Sequence, residues 1–151
     1  MSPQKFPHYA AIDKSKQLLE KLLGENFWIR TQGPLTLGPN SEPDPNVSVV
    51  AGTRDDYQEH PTTALLIVEV SRTTLAFDRR DKASLYAKAG IADYWIVNLI
   101  DRQLEVYRNP NPDENQPYGF GYSEKTILKA DDSITPLAAP ESPIPVADLL
   151  P

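Results

Sequence analysis

Hydrophobic positions along this chain change period several times, and each change predicts an element. From Ala11 to Leu23 the apolar residues Ile12, Leu18, Leu19, Leu22 and Leu23 recur at helical spacing with lysines opposite, which predicts a helix stopped at Gly24. Phe27 to Gln32 and Leu35 to Leu37 read as two strands turned at Gly33-Pro34. Asn40 to Asn46 is an extended loop, because Pro43 and Pro45 disfavour helical backbone in the residues before them, and it feeds the apolar strand Val47 to Val50. Ala64 to Val70 (ALLIVEV) is nearly continuous apolar sequence, the pattern of a strand buried on both faces.

Asp78 to Ala89 is predicted as one helix with Leu85 and Tyr86 facing inward and Gly90 as its stop. Tyr94 to Ile100 is a second central strand, and Tyr94 and Trp95 are expected in the core, with the Tyr94 hydroxyl finding a partner at the sheet edge. Asp101-Arg102 turns the chain into the alternating strand Gln103 to Tyr107. Asn109 to Gly121 reads as a surface loop, Thr126 to Leu128 as an edge strand, and the tail from Pro136, with prolines at 136, 140, 143, 145 and 151, as an extended surface segment. Strand, helix and strand in that order predict an α/β crossover, and 151 residues without an internal repeat fit one domain, residues 1–151.

Composition narrows the class. Hydrophobic residues at 40% and charged residues at 24% are an ordinary globular balance. No apolar run approaches the roughly 20 residues that span a bilayer, and the N-terminal stretch MSPQKFPHYAAIDKSKQ lacks the apolar core of a signal peptide. With no cysteine, disulfides and thiolate metal sites are excluded, and a cytoplasmic address is the default expectation. A net charge of −6 argues against tight non-specific binding of nucleic acid, although Arg72, Arg79, Arg80, Lys82 and Lys88 form either a local basic strip or a solvated helix face.

Candidate chemistry starts from Glu69. A carboxylate near the end of ALLIVEV is costly to bury unless it is paired or binds a cation. Glu42 and Asp44 enter the neighbouring strand, and Lys82 lies on the following helix. Carboxylates and a lysine converging on a sheet edge suit a Mg²⁺-dependent phosphodiesterase, since oxygen ligands hold the hard cation and the lysine positions the attacking water. The competing reading is a structural Glu69–Lys82 ion pair with Glu42 and Asp44 merely solvated. His8 and His60 sit beside prolines and are expected to play no catalytic part, and neither a nucleophile elbow nor a glycine-rich phosphate loop occurs.

The run from Gly33 to Tyr107 contains PLTLGPNSEPDPNVSVV, LLIVEVSRTTLAFDRRDKASLYAKAGIADYWIVN and QLEVYRN. Its most specific part is EVS, then D-x-x-x-K-x-x-x-Y through Asp78, Lys82 and Tyr86, then A-G-x-x-x-Y-W. This resembles the Uma family of restriction-endonuclease-like proteins, a bacterial family within the PD-(D/E)XK nuclease superfamily. The resemblance implies a mixed central sheet flanked by helices, a DNA endonuclease activity dependent on Mg²⁺ or Mn²⁺, and DNA as a partner. It implies Glu69 as a metal ligand, with Lys82 serving as the catalytic lysine because Ser71 occupies that residue's usual place in E-x-K. The first acidic ligand falls at Asn46, in Glu42-Pro43-Asp44-Pro45-Asn46, so Asn46 is a degenerate Asp position and Asp44 is the nearest substitute.

Asn offers one neutral carbonyl acceptor and no charge to hold a cation. Family members also carry an acidic N-terminal hairpin motif that this sequence does not show, so a shortened, impaired copy is expected, pairing as a homodimer or with a full-length relative. The alternative function is a catalytically inactive nuclease-fold binding or assembly module.

Overall fold

The computed structural model describes residues 5–151; Met1 to Gln4 of the N-terminal stretch lie outside them. Helix α1 (Phe6–Leu23) begins with Pro7 in its first turn, where a missing N–H costs nothing. It buries Ala11, Ile12, Ser15, Leu19 and Leu23 as one stripe, with the Ser15 hydroxyl donating to Ala11 O at 2.7 Å, and it stops at Gly24, whose φ is 72°.

Six strands follow in the spatial order β1-β2-β3-β4-β5-β6. Strand β2 (Val47–Ala51) pairs antiparallel with β1 (Phe27–Thr31) on one side and with β3 (Leu66–Ser71) on the other. Strand β4 (Asp93–Asn98) is parallel to β3, and β5 (Gln103–Pro112) and β6 (Phe120–Leu128) complete the sheet as an antiparallel meander. Every residue of β3 and β4 is buried, as their continuous apolar sequence requires. The parallel pair is joined by helix α2 (Leu75–Phe77), a π-helical turn (Asp78–Lys82) and helix α3 (Ala83–Lys88), stopped at Gly90 with φ 77°.

Two cores result. One face of the sheet packs Val47, Val49, Leu66, Val68, Val70, Trp95, Val97, Leu104 and Val106 against α1. The other packs Val50, Ile67, Tyr94, Ile96 and Tyr107 against Ala83, Tyr86 and Ile91 around α3. Tyr94 and Trp95 are fully buried as expected, but the Tyr94 hydroxyl donates to Asp78 O of the helical layer at 2.9 Å rather than to the sheet edge.

The structure departs from the sequence pattern in four places. Leu35 to Leu37 form no strand: Leu35 is fully buried, and their N–H groups donate to Pro43 O, Pro61 O and Ser41 O in an irregular loop. Gly33 sets that path, because a Cβ there would stand 2.6 Å from the Arg30 guanidinium, which reaches over to donate to Pro34 O.

The predicted helix is divided by the π-turn, and Leu85 is only half-buried whereas Tyr86 is enclosed. The predicted loop from Asn109 shrinks to Asp113–Gly119, because β5 runs on to Pro112. Its pairing with β4 ends at Arg108, so Pro110 and Pro112 sit where only β6 is a partner.

The tail does not run free over the surface. Strands β7 (Ser133–Ile134) and β8 (Ile144–Pro145) pair, and Ile144, Val146, Leu149 and Leu150 close the core beneath α1, where Lys14 Nζ donates to Leu150 O at 2.6 Å.

Candidate active site

The α3-side face of the sheet carries a row of polar groups where β2 and β3 part. Register puts Asn46 just before β2, opposite Glu69 on β3, and the backbone ladder between the two strands stops there. Val70 is left with an N–H and a carbonyl that have no strand partner. Two side chains supply them: Asn46 Oδ1 accepts from Val70 N–H at 2.7 Å, and His8 Nε2, on α1, donates to Val70 O at 2.9 Å. Since a carbonyl only accepts, that contact assigns the proton to Nε2. His8 thus stands beside the site. Its flanking proline gave no sign of this, because the contact is made 62 residues away in sequence.

Glu69 is 3% exposed and is held by three donors. Oε1 accepts from the Asn46 backbone N–H at 2.8 Å, and Oε2 from Lys82 Nζ and Tyr86 Oη, each at 2.9 Å. A carboxylate has about four acceptor sites, so one remains open on Oε1. Lys82 Nζ also lies 3.3 Å from Tyr86 Oη. Burial, and then the charge of Glu69, push the Tyr86 phenol far above its ordinary pKa, so it stays protonated and donates. Asp78, 5% exposed, accepts from Thr74 Oγ1 at 2.8 Å; burial and then the Glu69 charge raise its pKa against that hydrogen bond.

The structure therefore brings Glu69, Lys82 and Asn46 together and adds Tyr86, Asp78 and His8. It does not bring in Asp44, which is exposed and acts on Arg30, opposing the lowering of the guanidinium pKa by burial. Glu42 is exposed as well and lies 4.0 Å from His60. Among the described residues no three His, Cys, Asp or Glu side chains form a group able to hold a metal ion. The acidic residues proposed from sequence thus fit a resident divalent cation incompletely: Glu69 offers one open site, and the side-chain oxygen of Asn46 is already engaged.

A second buried carboxylate occupies the same row. Glu69 faces Ile96, and Ile96 faces Glu105 on β5. Glu105 is fully buried and accepts from Arg79 Nε, Arg79 Nη2, Asn98, Gln103 and Tyr107. Burial would raise its pKa, but these hydrogen bonds outweigh burial and hold it at about 2. Arg79 and Lys82 are thereby engaged on buried carboxylates, which leaves Arg72, Arg80 and Lys88 as the exposed members of the basic strip.

A six-stranded mixed sheet with helices on both faces, and a carboxylate–lysine pair at the end of the strand that opens the crossover, define a nuclease-like α/β fold. The chain belongs to the Uma family: the family model described as "Putative restriction endonuclease" matches residues 1–147. Among solved structures it is similar to a protein from Anabaena variabilis titled a putative nuclease belonging to DUF820. That match has a TM-score of 0.70 and 15% identity, and it covers 99% of this chain and 82% of that one. No curated protein matches the chain. Among the described residues no helix is long and apolar enough to cross a membrane.

Proposed function

We propose that this protein is an endonuclease acting on DNA phosphodiesters with a divalent cation, Mg²⁺ or Mn²⁺, and that its metal site is weakened by Asn46. The observation that carries the reading is the pair of Glu69 and Lys82, 2.9 Å apart at the end of β3 in a chain of this family. Glu69 would hold the cation through Oε1, with the second lone pair of Asn46 Oδ1 as a weaker oxygen donor; Asp44, outside the site, would contribute nothing. A bound cation would neutralise charge developing on the phosphate. Lys82, still 19% exposed, gives one N–H to Glu69 and one to Tyr86 Oη, which leaves a third to orient a water or a phosphate oxygen. Tyr86 keeps the Glu69 carboxylate in place for that contact.

A second reading, a silent binding or assembly module, is favoured by the engagement of Asn46 Oδ1 on Val70 N–H, which takes up the oxygen beside Glu69. Cleavage of supercoiled plasmid with Mn²⁺ separates the two. The endonuclease reading expects slow nicking by the native protein, none by Glu69→Ala, and on the order of tenfold or more faster nicking by Asn46→Asp, whose carboxylate keeps the Val70 contact and adds a metal-binding charge. Nicking that survives Glu69→Ala refutes it. Folded native and Asn46→Asp proteins that both fail to nick put the binding module in its place.

A further inference from the structure

Three strands hold the π-turn Asp78–Lys82 at three points. Tyr94 Oη on β4 donates to Asp78 O at 2.9 Å, Arg79 forks onto Glu105 on β5, and Lys82 reaches Glu69 on β3. Such turns are rare, usually single turns inside α-helices, and frequently found at functional sites. The two carboxylates lie in one row of the sheet two strands apart, about 9–10 Å. Two cations three residues apart on this turn span that gap.

The two contacts differ in what they fix. An ammonium on a four-carbon stem is a rotating point charge, so the bond from Lys82 to Glu69 does little to place the Lys82 backbone. A guanidinium that gives two parallel hydrogen bonds to one carboxylate fixes distance and orientation together. Glu105 is itself immobilised, since Asn98, Gln103 and Tyr107 donate to it from β4 and β5, and Asn98 Oδ1 also accepts from the N–H groups of Ile100 and Asp101 in the following turn. Placement therefore passes from the sheet through Glu105 and Arg79 to the turn that bears Lys82.

We propose that Glu105 is a positioning residue for Lys82, acting through Arg79 and the π-turn. This rests on Lys82 being the lysine of the site. General loss of stability is a different effect, and Asp93 supplies its control. Asp93 is also fully buried, binds Arg108 at 3.0 Å, and accepts from Trp95 Nε1 and Leu137 N–H away from the π-turn.

The test is acylation of lysines by an N-hydroxysuccinimide ester on the folded protein, read site by site by mass spectrometry. Glu105→Gln is expected to speed modification of Lys82 by up to about tenfold, the ceiling reached when release of the turn costs Lys82 its own charged hydrogen bond to Glu69. Arg79→Lys, which keeps the charge and loses the fork, should shift Lys82 in the same direction, and it decides the matter if Glu105→Gln does not fold. Asp93→Asn should leave Lys82 unchanged. An unchanged Lys82 rate in folded Glu105→Gln and Arg79→Lys overturns the proposal, and so does an equal rise in Asp93→Asn. Plasmid cleavage plays no part in this readout, so failure of the endonuclease reading leaves the result standing.

Discussion

Replacing Lys82 with Met removes the ammonium from a carboxylate that has little access to water. Glu69 would keep the Asn46 N–H and the Tyr86 hydroxyl but lose the one ion-pair partner it has among the described residues. Breaking a buried pair from one side costs about 3–5 kcal/mol, because the remaining charge is left uncompensated. The Lys82 side chain is 19% exposed against 4% for Glu69, so water can enter on the lysine side, and the low end, about 3 kcal/mol, is expected. For a domain of this size that corresponds to a fall in Tm of roughly 6–12 °C.

Adding Glu69→Gln to Lys82→Met removes the stranded charge while keeping an amide oxygen that accepts from the Asn46 N–H and an amide NH2 that can donate to the Tyr86 phenol oxygen. The double variant should recover more than half of the loss. Urea and thermal unfolding of native, single and double variants measure this directly. A single variant within about 0.5 kcal/mol of native, the range of an ordinary surface substitution, would show that Glu69 is not the isolated buried charge argued here. A double variant no more stable than the single would place the loss in packing of the lysine stem instead.

The Glu105 network sets an acid limit. Its folded pKa of about 2 lies below the ordinary 4.5, so its stabilisation is fully present above about pH 4.5 and is lost as pH falls towards 2. That loss amounts to roughly 3 kcal/mol, and Glu105→Gln should flatten the acid limb of a Tm-versus-pH curve; an equally steep limb in the variant would place the titration elsewhere. Leu149, fully buried beneath α1, should cost about 2–5 kcal/mol when replaced by Ala, measured by urea unfolding, whereas a tail lying loosely on the surface would give almost nothing.

The sequence was most legible where burial alone decides structure. ALLIVEV and YWIVNLI read as inner strands because they are short, continuous apolar runs rich in β-branched residues, and β3 and β4 are buried along their whole length. The stripe from Ile12 to Leu23 marked a helix with one buried face, and the structure lays that face against the sheet. Glu69 and Lys82 were also readable, because a charge inside such a strand demands a partner. Tertiary structure decided the rest, because the missing information lay in which distant groups complete a hydrogen-bond set. That His8 caps Val70 O and that Asn46 closes the ladder on Val70 N–H depend on where β2 and β3 diverge, which no local pattern encodes. The π-turn is equally invisible locally, since Asp78 to Lys82 favours a plain helix until Glu105 and Glu69 pull Arg79 and Lys82 towards different strands. The tail reverses its reading for a related reason. Its prolines mark an irregular path, but Ile144, Val146, Leu149 and Leu150 are apolar enough to be drawn into a core that α1 leaves open.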